Sequence, residues 1–453
     1  MIAPNLGWAS SQGTIGQDQR LNILMLTNTY VPHVGGVARS VSGLVAGLRE
    51  RGHSVLVVAP EFPGTPAVEE GVERIVALQR FGGSDFSMPL PLTWPLSEVI
   101  DDFAPDLVHT HHPFLLGDTA LRVASVYQVP IIFTYHTRYE LYGHYIAQDS
   151  AWLQRLVLSL AHGYCDLCDH VIAPSQSIVQ HLKRHGVQAP MTVIPTGIDV
   201  DAFASGRRDR ARGRWNLAPD QFVIGHVGRL APEKNLDILV QAIADVLARE
   251  PKAAVLITGD GSYRSIMEQA FADAGLTDRA RFTGVLTGEP LWDAYAAQDV
   301  FAFSSISETQ GLVLTEAMAA GVPVIALDAP GAREVVEDGI NGRLLPHSAD
   351  AGALAQALSW LADLPSERRE TLRQAARQTA DNFSTTRCLD RVLALYESVL
   401  AGEPRGEAPE ASAWEFARRR LESELDIVAN IAQAVSDAVL VPPPKAPSDV
   451  TLP

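Results

Sequence analysis

The chain has 453 residues, which is too long for one ordinary domain and makes two domains the first expectation. Its formal net charge of −17 disfavours nonspecific binding to nucleic acid, and its three cysteines are too few for a disulfide framework. No run approaches the roughly 20 apolar residues of a membrane span, and the N-terminus lacks the pattern of a secretory signal. We therefore expect a cytoplasmic protein, either free or peripheral to the inner face of the membrane.

Residues 1–20 read as a disordered lead-in, followed by two series of short apolar runs separated by helical patterns. Such runs are typical of parallel strands covered on both faces, so each series predicts a doubly wound, Rossmann-like α/β domain. These domains are placed at 21–200 and 222–384, joined by a polar linker at 201–221 and facing a central cleft that holds the ligand. Strands are expected at 22–27, 54–60, 106–111, 131–137, 170–175 and 192–197, and then at 222–229, 254–261, 280–284, 299–305 and 323–327.

The C-terminal region is expected to hold a closing helix at 385–402 and then, at 403–453, a linker, an amphipathic helix and a tail. That last helix is predicted from Trp414 to Leu440, because apolar residues recur there at three- and four-residue steps. We expect it to dock on the body of the protein or to mediate self-association, since a membrane-surface helix would be more basic. Its apolar stripe consists of Trp414, Ala417, Leu421, Leu425, Val428, Ala432, Val435 and Val439.

Glu308 and Glu316 stand eight positions apart, and the second lies inside the apolar stretch 311–321. If helical, that stretch is apolar on nearly every face, which predicts a buried helix. An ionised carboxylate buried without a partner is costly, so Glu316 is expected to meet a polar group. A structural ion pair and a ligand-binding role would both satisfy this expectation.

Two strand–helix turns carry groups suited to a phosphate. Gly35 and Gly36 stand at the start of a helical pattern, where backbone N–H groups and the helix dipole favour an anion, although the G-x-G-x-x-G spacing is absent. Arg229 and Lys234 occupy the corresponding turn of the second series and would suit a diphosphate in the cleft. The alternatives are a flexible turn for the glycines and solvated surface charges for the two cations.

His136 follows a strand and is expected at the same cleft, where it would hydrogen-bond a substrate hydroxyl or stabilise developing charge. The aromatic cluster around it would suit a sugar or lipid acceptor. Candidate acceptor residues are His111, Tyr135, Tyr139 and Tyr142.

Three patterns suggest metal or redox sites but are interpreted as structural. Cys165 and Cys168 form C-x-x-C late in a helical pattern, with no second pair for zinc. Asp199 and Asp201 form D-x-D without further acids nearby, which favours a turn or cap. The histidines around His111 are not accompanied by H-E-x-x-H or a comparable set of metal ligands. No metal ion or cofactor is expected.

Together these segments resemble the retaining glycosyltransferases of the GT-B fold that carry an E-x7-E motif, the family 4 type. The match runs in order over about residues 21–400, and the lead-in and the segment after Glu403 lie outside it. It rests on VPHVGGVARSV, TYHT, VIAPS, VIPTGIDVDAF, GRLAPEKNLDILV, TGDGS and SETQGLVLTEAMAAGVPVIA.

The resemblance implies roles at the matching positions. Arg229 and Lys234 would bind the donor diphosphate and stabilise it as a leaving group. Glu316 would accept hydrogen bonds from the nucleotide ribose, Glu308 would contact hydroxyls of the donor sugar, and His136 would contact the sugar near the reacting carbon. The remaining donor-binding positions are Gly35, Gly36, Gly311 and Leu312.

It also implies the reaction, in which a hexose passes from a nucleotide sugar to a hydroxyl by front-face displacement, with retention and without metal. Closure of the two domains around the donor is expected. HTHHPFLLGDTA, TYHTRYELYGHY, YCDLCDHVIAPS and SETQGL look like the glycolipid synthases that glucosylate diacylglycerol, with Gln310 where many relatives have Phe. UDP-glucose and a lipid hydroxyl such as diacylglycerol are therefore the first choice of substrates.

Two alternatives stay open. Within the same class, a mannosyl- or glucosyltransferase would use a soluble or polyprenyl-linked acceptor. The nearly balanced charge of residues 122–190 argues against a strongly membrane-bound enzyme, because attraction to anionic lipid needs a basic excess. A sugar-nucleotide epimerase or hydrolase on the same fold would release nucleotide without any acceptor.

Overall fold

The computed structural model describes residues 20–33, 35–66, 68–78, 88–89, 94–139, 151–402 and 413–440. Their architecture is two sheets of parallel strands, one of seven and one of six, each with apolar clusters on both faces. In the first strand, Leu24 and Leu26 point into one cluster while Ile23 and Met25 point into the other, as the two-residue period of a strand requires. The expectation of two Rossmann-like α/β domains is confirmed.

The first domain contains the sheet of order β3-β2-β1-β6-β7-β8-β9, plus a short antiparallel pair, β4 and β5. Its strands are β1 (Asn22–Leu26), β2 (Ser54–Pro60), β3 (Val72–Ile75), β4 (Ala77–Leu78), β5 (Met88–Pro89), β6 (Leu107–Thr110), β7 (Ile131–Thr134), β8 (His170–Ala173) and β9 (Met191–Val193). Its helices are α1 (Gly36–Glu50), α2 (Trp94–Phe103), α3 (Leu116–Tyr127), α4 (Ala151–Leu167) and α5 (Gln176–Arg184).

The second domain contains the sheet of order β12-β11-β10-β13-β14-β15. Its strands are β10 (Phe222–Val227), β11 (Ala253–Thr258), β12 (Ala280–Phe282), β13 (Val300–Phe303), β14 (Val324–Leu327) and β15 (Gly342–Leu345). Its helices are α6 (Val200–Ala204), α7 (Arg208–Arg214), α8 (Leu236–Arg249), α9 (Arg264–Asp273), α10 (Glu289–Ala296), α11 (Leu312–Ala319), α12 (Ala351–Asp363) and α13 (Ser366–Asp381). The edge strands β3 and β15 were not expected from the sequence.

The segment 201–221, expected as a linker, holds most of α6 and all of α7, and α7 is tied to the second domain by arginines. Arg212 is buried and donates to Asp299 at 2.8 Å, and Arg208 donates to the same carboxylate at 2.5 Å. A buried charge needs such a partner, so the polar composition of this segment serves packing on the second domain.

Helix α14 (Thr385–Leu400) returns the chain from the second domain to the first. Leu389 and Val392 pack into the first domain's core, and the Tyr396 hydroxyl lies 2.6 Å from Nδ1 of His109. The chain passes between the two domains twice, near Ile198 and near Ser384, and these two crossing segments run side by side. Ile198 donates to the carbonyl of Phe383 at 2.9 Å and accepts from the amide of Thr385 at 2.9 Å.

The last helix, α15 (Ala413–Leu440), packs against α4 and α3, so the expected docking on the body is observed. The face that docks differs from the apolar stripe, because the buried apolar residues among the described side chains of α15 are Ile427, Ala434 and Ala438. Small alanines allow a close approach, and polar contacts such as Ser159 to Asp437 at 2.7 Å complete it. The stripe members Leu425, Val428 and Val435 are 59%, 57% and 40% exposed, while the side chains of Trp414, Ala417, Leu421 and Val439 lie outside the described part.

Across the described ranges, no helix combines the length and apolarity that crossing a bilayer requires.

Candidate active site

The candidate residues converge where the loops following the strands of both sheets meet. His136 follows β7 of the first domain, and the loop of 304–311 follows β13 of the second. These loops touch, because the hydroxyl of Thr309 donates to the carbonyl of His136 at 3.0 Å. The Ser175 hydroxyl, at the start of α5, donates to the carbonyl of Thr309 at 2.7 Å. The first domain thus holds the loop that carries Glu308.

Glu308 and Lys234 form an ion pair at 2.6 Å inside the cleft, with both side chains mostly buried. Ser305 donates its hydroxyl to the same carboxylate oxygen at 2.8 Å. Burial alone would raise the pKa of the Glu308 carboxyl, but Lys234 and this hydrogen bond hold it below its usual value. Glu308 is therefore a carboxylate at neutral pH, able to accept hydrogen bonds from a ligand's hydroxyls.

Glu316 lies on α11 and is 1% exposed, as the apolar sequence around it predicted. Tyr295 donates its hydroxyl to one carboxylate oxygen at 2.6 Å, and Arg39 of α1 donates to the other. The expectation of a polar partner is thus confirmed, and one partner comes from the opposite domain. Gly311, the residue before α11, has φ of 71°, a left-handed conformation that favours glycine.

Arg229 and Lys234 stand on one turn between β10 and α8. Arg229 is about half exposed and pairs with Glu233 at 2.5 Å, while Lys234 closes the short 3-10 turn of Pro232–Lys234. The side-chain amide of Asn235 donates to the carbonyl of Ser304 at 3.3 Å, which binds this turn to the loop of Glu308. Both cations therefore border the same part of the cleft, as predicted.

The N-terminus of α1 lies at the same cleft. Gly35 precedes the helix without a side-chain cap, and a Cβ added at Gly36 would meet no atom within 4 Å. Arg39, in the first turn, reaches Glu316 across the domain boundary. The N-terminus of this 15-residue helix therefore lies near α11. Its free backbone N–H groups and the helix dipole would stabilise an anionic group there. Leu312 begins α11 on the other side of this contact.

A chain of histidines leads from His136 into the first domain. Nε2 of His136 lies 3.0 Å from Nδ1 of His111, and the rings of His111 and His109 lie 4.3 Å apart. His109 is bonded further to Thr134 at 2.7 Å. Burial lowers the pKa of His136 to about 4 and that of His109 to about 3. These imidazoles are neutral at pH 7 and act as hydrogen-bonding groups rather than as cations.

The candidate acceptor residues have different environments. His111 is buried in the histidine chain, and Tyr135 and Tyr139 are buried with their rings edge to face at 5.8 Å. Phe114 packs against Tyr139 at 5.4 Å, so both tyrosines belong to the core of the first domain, where Tyr135 is fully buried and Tyr139 is 9% exposed. Tyr142 lies outside the described residues.

Gln310 makes a contact between domains that sequence reasoning missed. Its amide accepts from the backbone N–H of Thr196 at 2.7 Å and donates to the carbonyl of the same residue at 2.8 Å. A Phe at this position could make neither bond. The departure from the relatives' usual residue was the available signal, and Arg39 gave no comparable signal in the sequence.

The patterns interpreted as structural have structural contacts. Asp199 caps α6 by accepting from the amide of Ala202 at 2.9 Å, which confirms the expected cap. The thiol of Cys165 is buried within α4 and donates to the carbonyl of Ala161 at 3.4 Å. Burial raises the pKa of that thiol well above its usual value, so it stays protonated.

The chain matches the sequence pattern described as Glycosyltransferase Family 4 over residues 34–202 and that described as Glycosyl transferases group 1 over 207–379. It is 30% identical over 351 residues to an alpha-monoglucosyldiacylglycerol synthase of Streptococcus pneumoniae, covering 76% of this chain and 80% of the relative. It is 33% identical over 393 residues to a GDP-mannose-dependent alpha-mannosyltransferase of Mycobacterium tuberculosis, covering 84% and 97%.

Among solved structures, Anabaena HepE in complex with UDP and glucose matches with a TM-score of 0.65 and 24% identity, covering 84% of this chain and all of that one. Two facing Rossmann-like domains with these matches define a glycosyltransferase of the GT-B class. Within that class the chain belongs to the family 4 type and is similar to the diacylglycerol glucosyltransferases.

Proposed function

We propose that this protein transfers glucose from UDP-glucose to a lipid hydroxyl such as that of diacylglycerol, with retention of configuration and without a metal ion. The observation that carries the proposal is the pairing of Lys234 with Glu308 at 2.6 Å, beside buried Glu316, in the cleft of a GT-B fold. Similarity to monoglucosyldiacylglycerol synthases over 76% and 71% of this chain supports the choice of acceptor.

The donor diphosphate would bind between Arg229, Lys234 and the N-terminus of α1. These groups supply two cations and a helix N-terminus for a charge that grows on the diphosphate as the bond to sugar breaks. Glu308 already partners Lys234, so the incoming diphosphate would become a second anionic partner of the ammonium group. That arrangement leaves the free lone pairs of the Glu308 carboxylate for hydroxyls of the sugar.

The nucleotide ribose is assigned to Glu316. Tyr295 holds one of its oxygens at 2.6 Å from inside the second domain, which orients the carboxylate toward the cleft. Arg39 contacts the other oxygen. A ribose hydroxyl would compete with Arg39 for that oxygen, so binding of the nucleotide and the contact between domains are coupled.

In the proposed reaction the acceptor oxygen bonds to the anomeric carbon on the face from which the diphosphate departs, which retains configuration. The carbon–oxygen bond to the diphosphate breaks, and the acceptor's proton passes to a departing phosphate oxygen. Arg229 and Lys234 stabilise the leaving charge, and His136, neutral at pH 7, holds a sugar hydroxyl. Catalysis then rests on positioning and charge stabilisation, with no metal and no covalent enzyme intermediate.

Four exposed apolar residues of α15 are assigned to contact with a bilayer surface through burial of their apolar area, since the helix lacks the basic face of a typical membrane-surface helix. They are Leu425, Val428, Ile431 and Val435. Trp152 of the neighbouring helix α4 is also exposed, and an indole suits the interface between lipid and water. Peripheral attachment would bring the cleft to a lipid acceptor. Flotation with vesicles tests this assignment, and a stable dimer without vesicles would instead assign the stripe to self-association.

A second candidate is a GDP-mannose-dependent mannosyltransferase, and a specific observation favours it. The mycobacterial relative is 33% identical and matched over 97% of its length, against 30% and 80% for the pneumococcal glucolipid synthase. The two donors differ in the nucleotide base and in the configuration of one hydroxyl of the hexose. The residues assigned to the diphosphate and the ribose would contact neither of these parts, so they would serve both donors.

The test is nucleotide release from UDP-glucose and from GDP-mannose, each with and without diacylglycerol micelles, in EDTA. Release from UDP-glucose that rises strongly with lipid, together with an α-linked product by NMR, is the expected result. Release from GDP-mannose alone would replace the first candidate by the second. Equal release with and without lipid would indicate a soluble acceptor or hydrolysis. Activity that is lost in EDTA and restored by Mg²⁺ or Mn²⁺ would overturn metal independence of the transfer reaction.

A further inference from the structure

Three histidines come together on the first domain, away from the donor cleft. His162 lies on α4, His181 lies on α5, and His185 follows the last residue of α5. One ring nitrogen from each lies within 4.8 Å of those of the other two. The ring centroids are 4.3–5.8 Å apart, so the three imidazoles form one cluster between the two helices.

The spacing of His181 and His185, and the tautomer of His185, suit a metal ion. His181 and His185 are four positions apart, which places them on one side of the helix end. Nδ1 of His185 lies 2.8 Å from the carbonyl oxygen of His181. Since a carbonyl can only accept, Nδ1 carries the proton and the lone pair is left on Nε2. Metal-binding histidines are usually oriented by such a bond from their second nitrogen.

The cluster is held in place by the segment that follows α5. Asp166, one helical turn beyond His162 on α4, accepts from the amides of Gln188 at 2.7 Å and Ala189 at 2.8 Å. This anchors the chain just after His185 to the helix that carries His162. Exposure increases across the cluster, because His162 is buried, His181 is half-buried and His185 is exposed. An ion could therefore enter from solvent and meet a fixed inner ligand.

We propose that His162, His181 and His185 bind a Zn²⁺ ion, with water as the fourth ligand. Three neutral imidazoles are a donor set that zinc prefers and that magnesium and calcium do not. Zinc–nitrogen bonds of about 2.0–2.1 Å in a tetrahedral site place the nitrogens roughly 3.3 Å apart. The ring nitrogens now lie within 4.8 Å of one another, so the side chains need to close by up to about 1.5 Å. The rings of His162 and His181 are the farthest apart, at 5.8 Å between centroids, and rotation of the half-buried His181 side chain would bring them together.

The site has a defined position relative to the candidate active site. Its metal would join α4 to the C-terminal end of α5, while Ser175 and Ser177 at the other end contact the second domain. Ser175 donates to the carbonyl of Thr309 at 2.7 Å, and the amide of Ser177 donates to Glu334 at 2.9 Å. The ion would fix the helix that supports the loop of Glu308, without contacting the substrates.

Calorimetric titration of untagged, EDTA-stripped and dialysed protein with ZnCl₂ tests the site. We expect one equivalent of Zn²⁺ to bind the wild type, with affinity at least about tenfold weaker in both His181→Ala and His185→Ala. His347→Ala removes an exposed histidine of the second domain and is expected to leave binding unchanged. Co²⁺ should give the visible absorption of a tetrahedral site in the wild type and in this control.

Circular dichroism and thermal unfolding of the metal-free proteins verify that each variant is folded. The His185→Ala variant is expected to keep its fold, because it loses only an exposed side chain and leaves the buried His162 unchanged. Absence of zinc binding by the wild type, or equal binding by wild type and the folded His181→Ala and His185→Ala variants, would overturn the proposal. Binding is measured without substrates, so this result is independent of the assay of glycosyl transfer.

Discussion

The ammonium group of Lys234 lies 2.6 Å from a carboxylate oxygen of Glu308, and these two residues come from turns that follow neighbouring strands, β10 and β13. The pair neutralises two buried charges that would each be costly alone. The ammonium group of Lys234 has three N–H donors, so it can bind a second anion while it stays paired with Glu308. A diphosphate bound here as proposed would therefore add to an existing arrangement of charges and need not assemble one.

Lys234→Ala is expected to lower kcat for sugar transfer by about 10²–10³-fold, the usual cost of removing one group that stabilises transition-state charge. Steady-state kinetics with the accepted donor measure this loss. Lys252→Ala is the matched control, because Lys252 is an exposed lysine paired only with Asp220 at the surface. A Lys234→Ala enzyme that is folded and as active as the control would contradict the assigned role.

Tyr295→Phe is expected to lower the free energy of unfolding by about 1–3 kcal/mol, because it leaves one oxygen of buried Glu316 without its donor. Urea denaturation measures the change. Tyr263→Phe is the control, since Tyr263 donates to Asp237 at an exposed position and water can replace that bond. Equal stabilities of the two variants would show that Glu316 finds another partner.

Gln310→Glu is expected to weaken the contact between domains in a pH-dependent way. The carboxylate can accept from the amide of Thr196, but it then opposes that residue's carbonyl oxygen. A protonated carboxyl both accepts and donates, so the variant should approach the wild type as pH falls toward 5. The difference in unfolding free energy between variant and wild type, followed from pH 8 to 5, tests this. A difference independent of pH would disprove the two-bond contact.

Acidification is expected to destabilise the protein between pH 7 and 5. Burial lowers the pKa of His112 to about 3, and of His136 and His226 to about 4, whereas the unfolded chain titrates near 6.5. The unfolded state therefore binds more protons, and each such histidine costs up to about 2 kcal/mol at pH 5. The lowered pKa of Glu308 acts only below about pH 4.3, outside this range. His226→Gln should reduce the slope of stability against pH, and an unchanged slope would contradict the buried neutral form.

Gly163→Ala is expected to loosen α15. An added Cβ would lie 1.9 Å from the side-chain oxygen of Asn430. The Asn430 side chain would have to move, and its Nδ2 would lose the hydrogen bond that it donates to the carbonyl of Leu160. Hydrogen exchange of the amides of α15 measures the effect and should become faster. Gly213→Ala is the control, because its Cβ would meet nothing and alanine favours the helix. Unchanged exchange in Gly163→Ala would mean that α15 docks elsewhere.

The sequence predicted those parts of the fold that depend on local pattern. Continuous apolar runs such as β11 marked central strands, and the apolar surroundings of Glu316 marked a buried carboxylate. The edge strands β3 and β15 were missed, because VERI and GRLL are only partly buried and lack such a run. The sequence pattern of α15 predicted a helix but the wrong docking face, since small residues and polar contacts decided the packing.

The candidate site was predicted where one domain supplies the residues in a recognisable order, as with Arg229 and Lys234 on one turn. Contacts that join distant parts of the chain were not predicted. Arg39 and Glu316 are separated by 277 positions, and no local pattern pairs them. The histidines of α4 and α5 were missed for the same reason, because their proximity depends on how two helices pack.

The bonded crossings at Ile198 and Ser384 limit how the enzyme can move. Two chain segments that run between the domains at separate places would resist rotation about either one. Here they lie side by side, so both can act as a single hinge at one edge of the cleft. Opening would then be a swing about this edge, in which the backbone bonds that join the two crossing segments stay intact. Donor entry and product release would share this one degree of freedom.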